Sequence, residues 1–182
     1  MQLMVDPAIG ALLAGAFALL FVSAALHKLL HPRVFAETLR AYAVLPRSLT
    51  ALHPLVPLLE LTAGLGLLAG ASRAGAAAAG SALLVSYAGA IALNLARGRR
   101  DLTCGCGGPN DRRPIAAWMV WRNLLLAVLL AVTLLPWGQR PLAPADAVTI
   151  GAGTTVAALL YMSLDGVLGR LAPRAALLRG SR

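Results

Sequence analysis

The sequence predicts an all-α protein: a polytopic transmembrane helical bundle with four core helices and a fifth, C-terminal helix. Apolar residues make up 59% of the 182 residues and charged residues only 13%, which would leave a soluble globule with too little polar surface. The apolar residues also gather into five runs close to the roughly 20 residues that cross about 30 Å of hydrocarbon. The chain is therefore predicted to be an integral membrane protein.

The five predicted spans follow one another along the chain. They run from Pro7 to Leu26, Pro54 to Gly70, Ala74 to Ala96, Ile115 to Pro136 and Ala147 to Leu164. The first run has no basic segment ahead of it and no clear cleavage site, so it predicts a retained helix rather than a signal peptide. The fifth run fits a short or tilted span, because it contains Gly151, Gly153, Thr154 and Thr155 and is followed by Asp165.

The chain is divided at residue 136. Residues 1–136 are predicted to form a four-helix membrane domain with an amphipathic 32–46 segment and a 97–114 cysteine loop, and residues 137–182 a fifth helix and a basic tail. The 32–46 segment carries apolar residues at helical spacing, and its opposite face carries Arg33, Glu37 and Arg40. This pattern favours an interfacial helix, and a loop helix packed on a neighbour is the alternative.

Basic residues predict the orientation of the bundle. Thirteen lie after the first, third and fifth spans, whereas only Arg73 and Arg140 lie at the opposite end. Since cytoplasmic loops collect arginine and lysine, the N-terminus is predicted outside and the cysteine loop at the cytoplasmic end of a multi-pass protein of the cell membrane; the opposite orientation is the alternative. The net charge of +9 then reflects topology and attraction to anionic lipid, and gives no reason to infer nucleic-acid binding.

Both cysteines of the chain lie in one short tract. Cys104 and Cys106 are separated by Gly105 and followed by Gly107 and Gly108. Two thiols one residue apart can close into a small, strained disulfide, and strained, exposed disulfides are the exchange-active ones. The glycines tolerate the unusual backbone angles of such a ring and leave the sulfur atoms open to a partner thiolate.

Polar residues within the spans indicate a second part of the site. Glu60 and Arg122 lie at similar predicted depths, about two turns into their helices, so an ion pair between them is predicted. Up-and-down threading brings Lys28, Asn94 and Asn123 to the same end as the cysteine loop. There Lys28 or Arg122 would stabilise a cysteine thiolate, and an interhelical brace is the alternative role.

Small residues recur inside the spans, with Gly66 and Gly70 in the second and Ala76 and Gly80 in the third. Such pairs predict close helix contacts. The sequence leaves open whether these contacts close one bundle or join two protomers into a homo-oligomer.

A longer series of residues resembles the methylamine utilisation protein MauE family, which is related to the DoxX-like membrane proteins. The resemblance covers about Phe17 to Pro136 and is carried by Lys28, Phe35, Tyr42, Leu45, Pro46, Pro57, Glu60, Gly64, Leu67, Asn94, Gly98, the CGCGG tract, Trp118, Arg122, Asn123 and Leu124. It implies a helical-bundle membrane protein that handles thiols and disulfides together with a thioredoxin-like partner. Methylamine itself is not implied.

Carried over residue by residue, the resemblance implies that Cys104 and Cys106 are the redox pair. It also implies a supporting polar set, made up of Lys28, Glu60, Asn94, Arg122 and Asn123. This chain has Gly107 where many members have an aromatic residue. The reaction expected is thiol–disulfide exchange, with the chain acting as an oxidoreductase.

The family role suggests disulfide chemistry on the exported side, whereas the arginines predict a cytoplasmic cysteine pair. We base the predicted orientation on the distribution of arginine and lysine. With only two cysteines, a transmembrane relay would need a membrane quinone or a second protein. Trp118 and Trp121 could line a quinone site, but interfacial anchoring is the simpler interpretation.

Two other classes of function stay open. Cys104 and Cys106 together with His27, His31 and His53 could bind Cu(I), Zn(II) or Hg(II) in a metal transporter or chaperone, although the histidines lack the paired spacing of a strong metal motif. A non-enzymatic membrane scaffold that recruits a redox partner through its basic loops is the third class.

Overall fold

The computed structural model describes residues 4–44, 46, 52–103 and 113–179, and of residues 171–179 it describes the backbone alone. Within these ranges the fold is all-α, which confirms the predicted class. The described residues form two isolated β-bridges and no β-strand. The helices are α1 (Pro7–Leu30), α2 (Pro32–Tyr42), α3 (Leu55–Leu68), α4 (Arg73–Ala96), α5 (Ala117–Ala131) and α6 (Pro144–Arg179), and a 3-10 turn at Val132–Leu134 extends α5.

Four of these helices are long and apolar enough to cross a membrane: Pro7–Leu30, Arg73–Ala96, Ala117–Leu134 and Pro144–Arg170. The predicted second span is wrong in length, because α3 has only 14 residues and is about 21 Å long. The helix ends where Ala69 takes an extended conformation, with φ −99° and ψ 122°. The Ser72 hydroxyl donates a hydrogen bond to the Gly66 carbonyl at 3.0 Å, which satisfies one carbonyl of the last turn.

Other helix ends also differ from the predicted spans. Helix α1 continues to Leu30 and therefore contains Lys28. Helix α6 has 36 residues, about 54 Å at 1.5 Å per residue, so it is much longer than the apolar run at 147–164. The additional turns place Asp165 inside a helix rather than after one.

The bundle is held by α1 packed against α3 and α6, and by α4 packed against α3 and α5. Phe17, Phe21, Leu67, Leu84 and Leu130 lie in the central apolar core. The small residues permit this packing: a β-carbon at Gly80 would lie 2.8 Å from Phe21 Cε2, and one at Gly66 would lie 2.9 Å from the β-carbon of Ala76. These two glycines make contacts within one chain, whereas Gly70 has open space around its α-carbon.

The end of the bundle that lies away from the cysteine loop, which we call the opposite end, ties the N-terminus to the α5–α6 connection. Val5 forms a bridge with Trp137, and Arg73 lies 3.4 Å from the centre of the Trp137 ring. Arg140 donates to both carboxylate oxygens of Asp6, at 2.8 and 3.0 Å, and to both of Asp146, at 2.7 and 2.9 Å. The hydrogen bond from Arg140, and then that from the Ala8 amide, lower the pKa of Asp6.

Candidate functional site at the cysteine loop

The cysteine loop leaves and re-enters the fold at one place. Cys104, Gly105, Cys106, Gly107 and Gly108 lie outside the described residues, but the borders of the loop are described. Thr103 forms an antiparallel bridge with Pro114, and the Ile115 amide donates to the Leu102 carbonyl at 2.8 Å. We call this part of the bundle the cysteine-loop end.

An apolar floor lies beneath the loop borders. It is formed by Tyr42, Ile91, Leu102, Ile115 and Met119, which come from α2, α4, the two borders and α5. The end of α4 is tied to the end of α2, because Arg99 donates to the Ala41 carbonyl at 2.6 Å and Arg97 to the Ala43 carbonyl at 3.3 Å. The loop borders are thus anchored on three helices.

A buried ion pair joins α1, α3 and α4 at this end. The ammonium group of Lys28 donates to Glu60 Oε1 at 2.6 Å and to Oε2 at 2.8 Å, and the Tyr87 hydroxyl donates to Oε1 at 2.7 Å. Lys28 is 5% exposed and Glu60 is 1% exposed. The predicted ion pair between Glu60 and Arg122 is therefore wrong: Glu60 pairs with Lys28, because α1 and not α5 packs against α3.

Arg122 instead pairs with Asp165 of α6. The same carboxylate accepts a hydrogen bond from Arg113 at 2.8 Å, and Arg113 is the first described residue after Cys106. The Arg122 guanidinium also faces the rings of Trp118 and Tyr161, at 5.2 and 5.8 Å from their centres. Helix α6 is thereby connected both to α5 and to the border of the loop.

The two asparagines of the predicted polar set are buried on their own helices. The Asn94 amide nitrogen donates to the Ala90 carbonyl at 3.0 Å, and its side-chain oxygen accepts from Arg99 at 3.2 Å. The Asn123 amide nitrogen donates to the Met119 carbonyl at 2.8 Å. The five predicted supporting residues therefore divide among separate contacts: Lys28 with Glu60, Arg122 with Asp165, Asn94 with Arg99, and Asn123 within α5.

Two polar partners in these contacts were not singled out from the sequence. Tyr87 is one of several polar residues in α4, and the sequence contains no signal that sets it apart. Asp165 had a usable signal, because a carboxylate at the end of an apolar run needs a cation and Arg122 needed an anion.

The three histidines do not form one group. The rings of His27 and His31 meet edge to face, with centres 5.1 Å apart, whereas His53 lines a shallow groove beside Arg33, Glu37 and Arg40 of α2. Among the described residues, which exclude both cysteines, no group of three or more His, Cys, Asp or Glu side chains could hold a metal ion. The soft-metal alternative therefore depends on Cys104 and Cys106.

The tryptophans proposed for a quinone site differ in environment. Trp121 is 71% exposed on the outer surface of α5. Trp118 packs against the apolar floor, and its buried Nε1 has no hydrogen-bond partner among the described residues. A quinone as electron acceptor stays a prediction.

Long apolar helices with ionisable groups buried at one end define a multi-pass α-helical membrane protein. The class is made specific by comparison with known sequences. The chain belongs to the methylamine utilisation protein MauE family, whose model matches residues 6–136, and this confirms the resemblance found in the sequence.

Similar proteins extend the match beyond that model. The chain is 39% identical to the methylamine utilization protein MauE of Paracoccus denitrificans, over 85% of this chain and 83% of the relative. It is 34% identical to that of Methylophilus methylotrophus, over 93% and 91%, and 36% identical to that of Paracoccus versutus, over 95% and 94%. The last two alignments must reach into the residues of α6. No solved structure matches the chain.

Proposed function

We propose that this chain is a membrane thiol–disulfide redox protein, in which Cys104 and Cys106 exchange electrons with a thioredoxin-like partner and so support disulfide formation or maturation of another protein. The observation that carries the proposal is the border of the cysteine loop. Cys104 directly follows Thr103, whose bridge to Pro114 rests on the apolar floor at a polar end of the bundle. An exchange site needs such a position, since a water-soluble partner cannot reach thiols within the hydrocarbon.

The charges around the loop borders support the same chemistry. Arg113 borders the loop directly, and it shares Asp165 with Arg122. Positive charge near a thiol favours the thiolate, which is the reactive form in exchange. Lys28 is committed to Glu60, so we assign the thiolate-stabilising role to the arginines and the bracing role to the lysine.

Each step of the exchange forms one sulfur–sulfur bond and breaks another. A partner thiolate attacks one sulfur of the Cys104–Cys106 disulfide, so that a mixed disulfide forms while the bond between the two cysteines breaks. The second partner thiolate then attacks the mixed disulfide and releases the other cysteine. Two electrons pass from the partner dithiol to the cysteine pair, and the two protons of the partner thiols pass to the two new thiols. A membrane quinone, reduced to its quinol by two electrons and two protons, would restore the disulfide.

The test is thiol trapping in intact cells with a membrane-permeant maleimide, which reaches the predicted cytoplasmic end, with and without prior reduction, read as a mass shift. A shift that requires reduction is expected, because the resting pair holds a disulfide. Thiols that are free without reduction, and that are shielded by added Cu(I), Zn(II) or Hg(II), would overturn the proposal in favour of the soft-metal function.

Single variants separate the redox function from a scaffold. With Cys104→Ser or Cys106→Ser, the remaining thiolate should open the disulfide of an oxidised thioredoxin-like protein and accumulate as a mixed disulfide with it, so that one sulfur–sulfur bond forms as another breaks. The double variant is the control and should form none. Since the relatives are named for methylamine utilisation, growth on methylamine is the cellular readout. A double variant that keeps full growth and partner binding would favour the scaffold.

A further inference from the structure

Helix α6 binds Arg113, the arginine that borders the cysteine loop, and we call the residues that hold it its seat. Arg113 Nη2 donates to Asp165 Oδ2 at 2.8 Å, and Nη1 donates to the backbone carbonyl of the same residue at 2.7 Å. Gly169 lies one turn further along α6, and a β-carbon there would overlap the Arg113 guanidinium. The acidic residue and the glycine thus form one continuous surface that fits this arginine.

Asp165 holds a second arginine with its other carboxylate oxygen. Arg122 donates to Oδ1, and the two groups are 14% and 16% exposed. Charges so far removed from water are weakly screened, so this contact constrains position more strongly than an exposed pair would. One carboxylate therefore fixes two guanidinium groups at the border of the loop.

Asp165 contributes a negative charge to a border that is otherwise positive. Arg113, Arg122 and Asp165 sum to a single positive charge. The other charged residues of the 97–114 loop, Arg97, Arg99, Arg100, Asp101, Asp111 and Arg112, sum to a net charge of +2, and Lys28 with Glu60 is neutral. Asp165 therefore offsets one unit of the excess positive charge at this border.

We infer that Asp165 is a positioning residue of the redox site: it seats Arg113 and Arg122 at the border of the cysteine loop and offsets one unit of the positive charge that favours a cysteine thiolate. The inference rests on the proposed function, because it assigns that charge to the Cys104 and Cys106 pair. It gives α6, which lies outside the matched family model, a direct part in the reactivity of the loop.

The experiment measures the rate at which the cysteines of the reduced, purified full-length chain are alkylated as a function of pH. Asp165→Asn raises the net charge of the three residues from one to two, so the midpoint of the rate profile should fall by about half to one pH unit. Arg113→Gln lowers the net charge to zero, so the midpoint should rise by a similar amount. Asp165→Glu keeps the charge and should stay close to wild type.

Asp146→Asn is the matched control, because Asp146 also lies in α6 and also binds an arginine, but at the opposite end. Its midpoint should equal that of the wild type. A purely structural role of Asp165 would lower thermal stability without shifts of opposite sign. If Asp165→Asn moves the midpoint upwards or not at all, the inference is wrong; if that variant does not fold, a failure of Arg113→Gln to raise the midpoint overturns it equally.

Alkylation needs no partner protein, so the two proposals can fail separately. Shifts of opposite sign in a chain that forms no mixed disulfide would support the role of Asp165 and overturn the exchange function. Mixed disulfides in a chain whose midpoint ignores both substitutions would do the reverse.

Discussion

The ammonium group of Lys28 lies 2.6 and 2.8 Å from the two carboxylate oxygens of Glu60, and both side chains are almost fully removed from solvent. The contact joins residues on α1 and α3, and the Tyr87 hydroxyl adds α4 through a hydrogen bond to the same carboxylate. Each buried charge is costly alone and tolerable only because the other is present. The pair therefore fixes the relative rotation of these helices near the cysteine-loop end.

Removing one member of this pair should destabilise the bundle more than removing both. Lys28→Met or Glu60→Leu leaves a buried charge without its partner and should cost about 3 to 5 kcal/mol. Lys28→Met combined with Glu60→Leu should cost less than either single change, since no charge is then buried. The measurement is the free energy of unfolding in detergent, and strictly additive costs would contradict the ion pair.

Tyr87→Phe serves as the graded control for that series. It removes one hydroxyl donor to Glu60 while Lys28 still satisfies the carboxylate, so a loss of about 1 kcal/mol is expected. A loss as large as that of Lys28→Met would mean that the tyrosine, rather than the lysine, carries the contact.

Gly80 and Gly89 offer a matched test of close packing within α4. Gly80→Ala would push a methyl group against Phe21 and Leu130, at 2.8 and 2.9 Å, and should cost about 1 to 3 kcal/mol. Gly89→Ala enters open space and should be neutral or slightly stabilising, because alanine is the better helix former. Thermal unfolding of the two variants side by side checks the difference, and equal melting temperatures would refute it.

The class of fold could be predicted because apolar runs of membrane length are a strong signal that does not depend on tertiary contacts. Helix ends were less predictable, since they depend on local geometry such as the extended Ala69. Partners within the bundle could not be predicted. Matched depth placed Glu60 and Arg122 at one level, but the choice of partner depends on which helices touch, and α3 packs on α1 rather than α5.

The polar set of the candidate site was predicted as residues but not as contacts. Lys28, Glu60 and Arg122 were each identified as ionisable groups in apolar surroundings, which is visible in the sequence. The sequence does not indicate the partnership of Arg122 with Asp165, because the last predicted span ends at Leu164, whereas α6 continues beyond it and contains Asp165. The seat for Arg113 depends on Gly169 approaching a distant loop border, and no local pattern indicates such an approach.

At the opposite end, acid should release the contact between Asp6 and Arg140. The pKa of Asp6 is lowered below its usual 3.8, chiefly by the hydrogen bond from Arg140, so the contact stabilises the fold above pH 3.8 and is lost as the pH falls through the lowered value. The difference in melting temperature between wild type and Asp6→Asn should therefore be constant near neutral pH and shrink in strong acid. A difference that grows on acidification would show that the carboxylate is not held ionised by the arginine.

Orientation can be tested with single cysteines at the two ends of a chain whose Cys104 and Cys106 are both serine. Asp101→Cys lies on the exposed approach to the loop and Gly138→Cys at the opposite end. Thirteen basic residues follow the first, third and fifth predicted spans, against two on the other side, so the cysteine-loop end is predicted to face the cytoplasm. An impermeant maleimide should label Gly138→Cys in intact cells and label Asp101→Cys only after lysis. The reverse pattern would place the cysteine loop on the exported side, and the proposed thioredoxin-like partner would then have to be sought there.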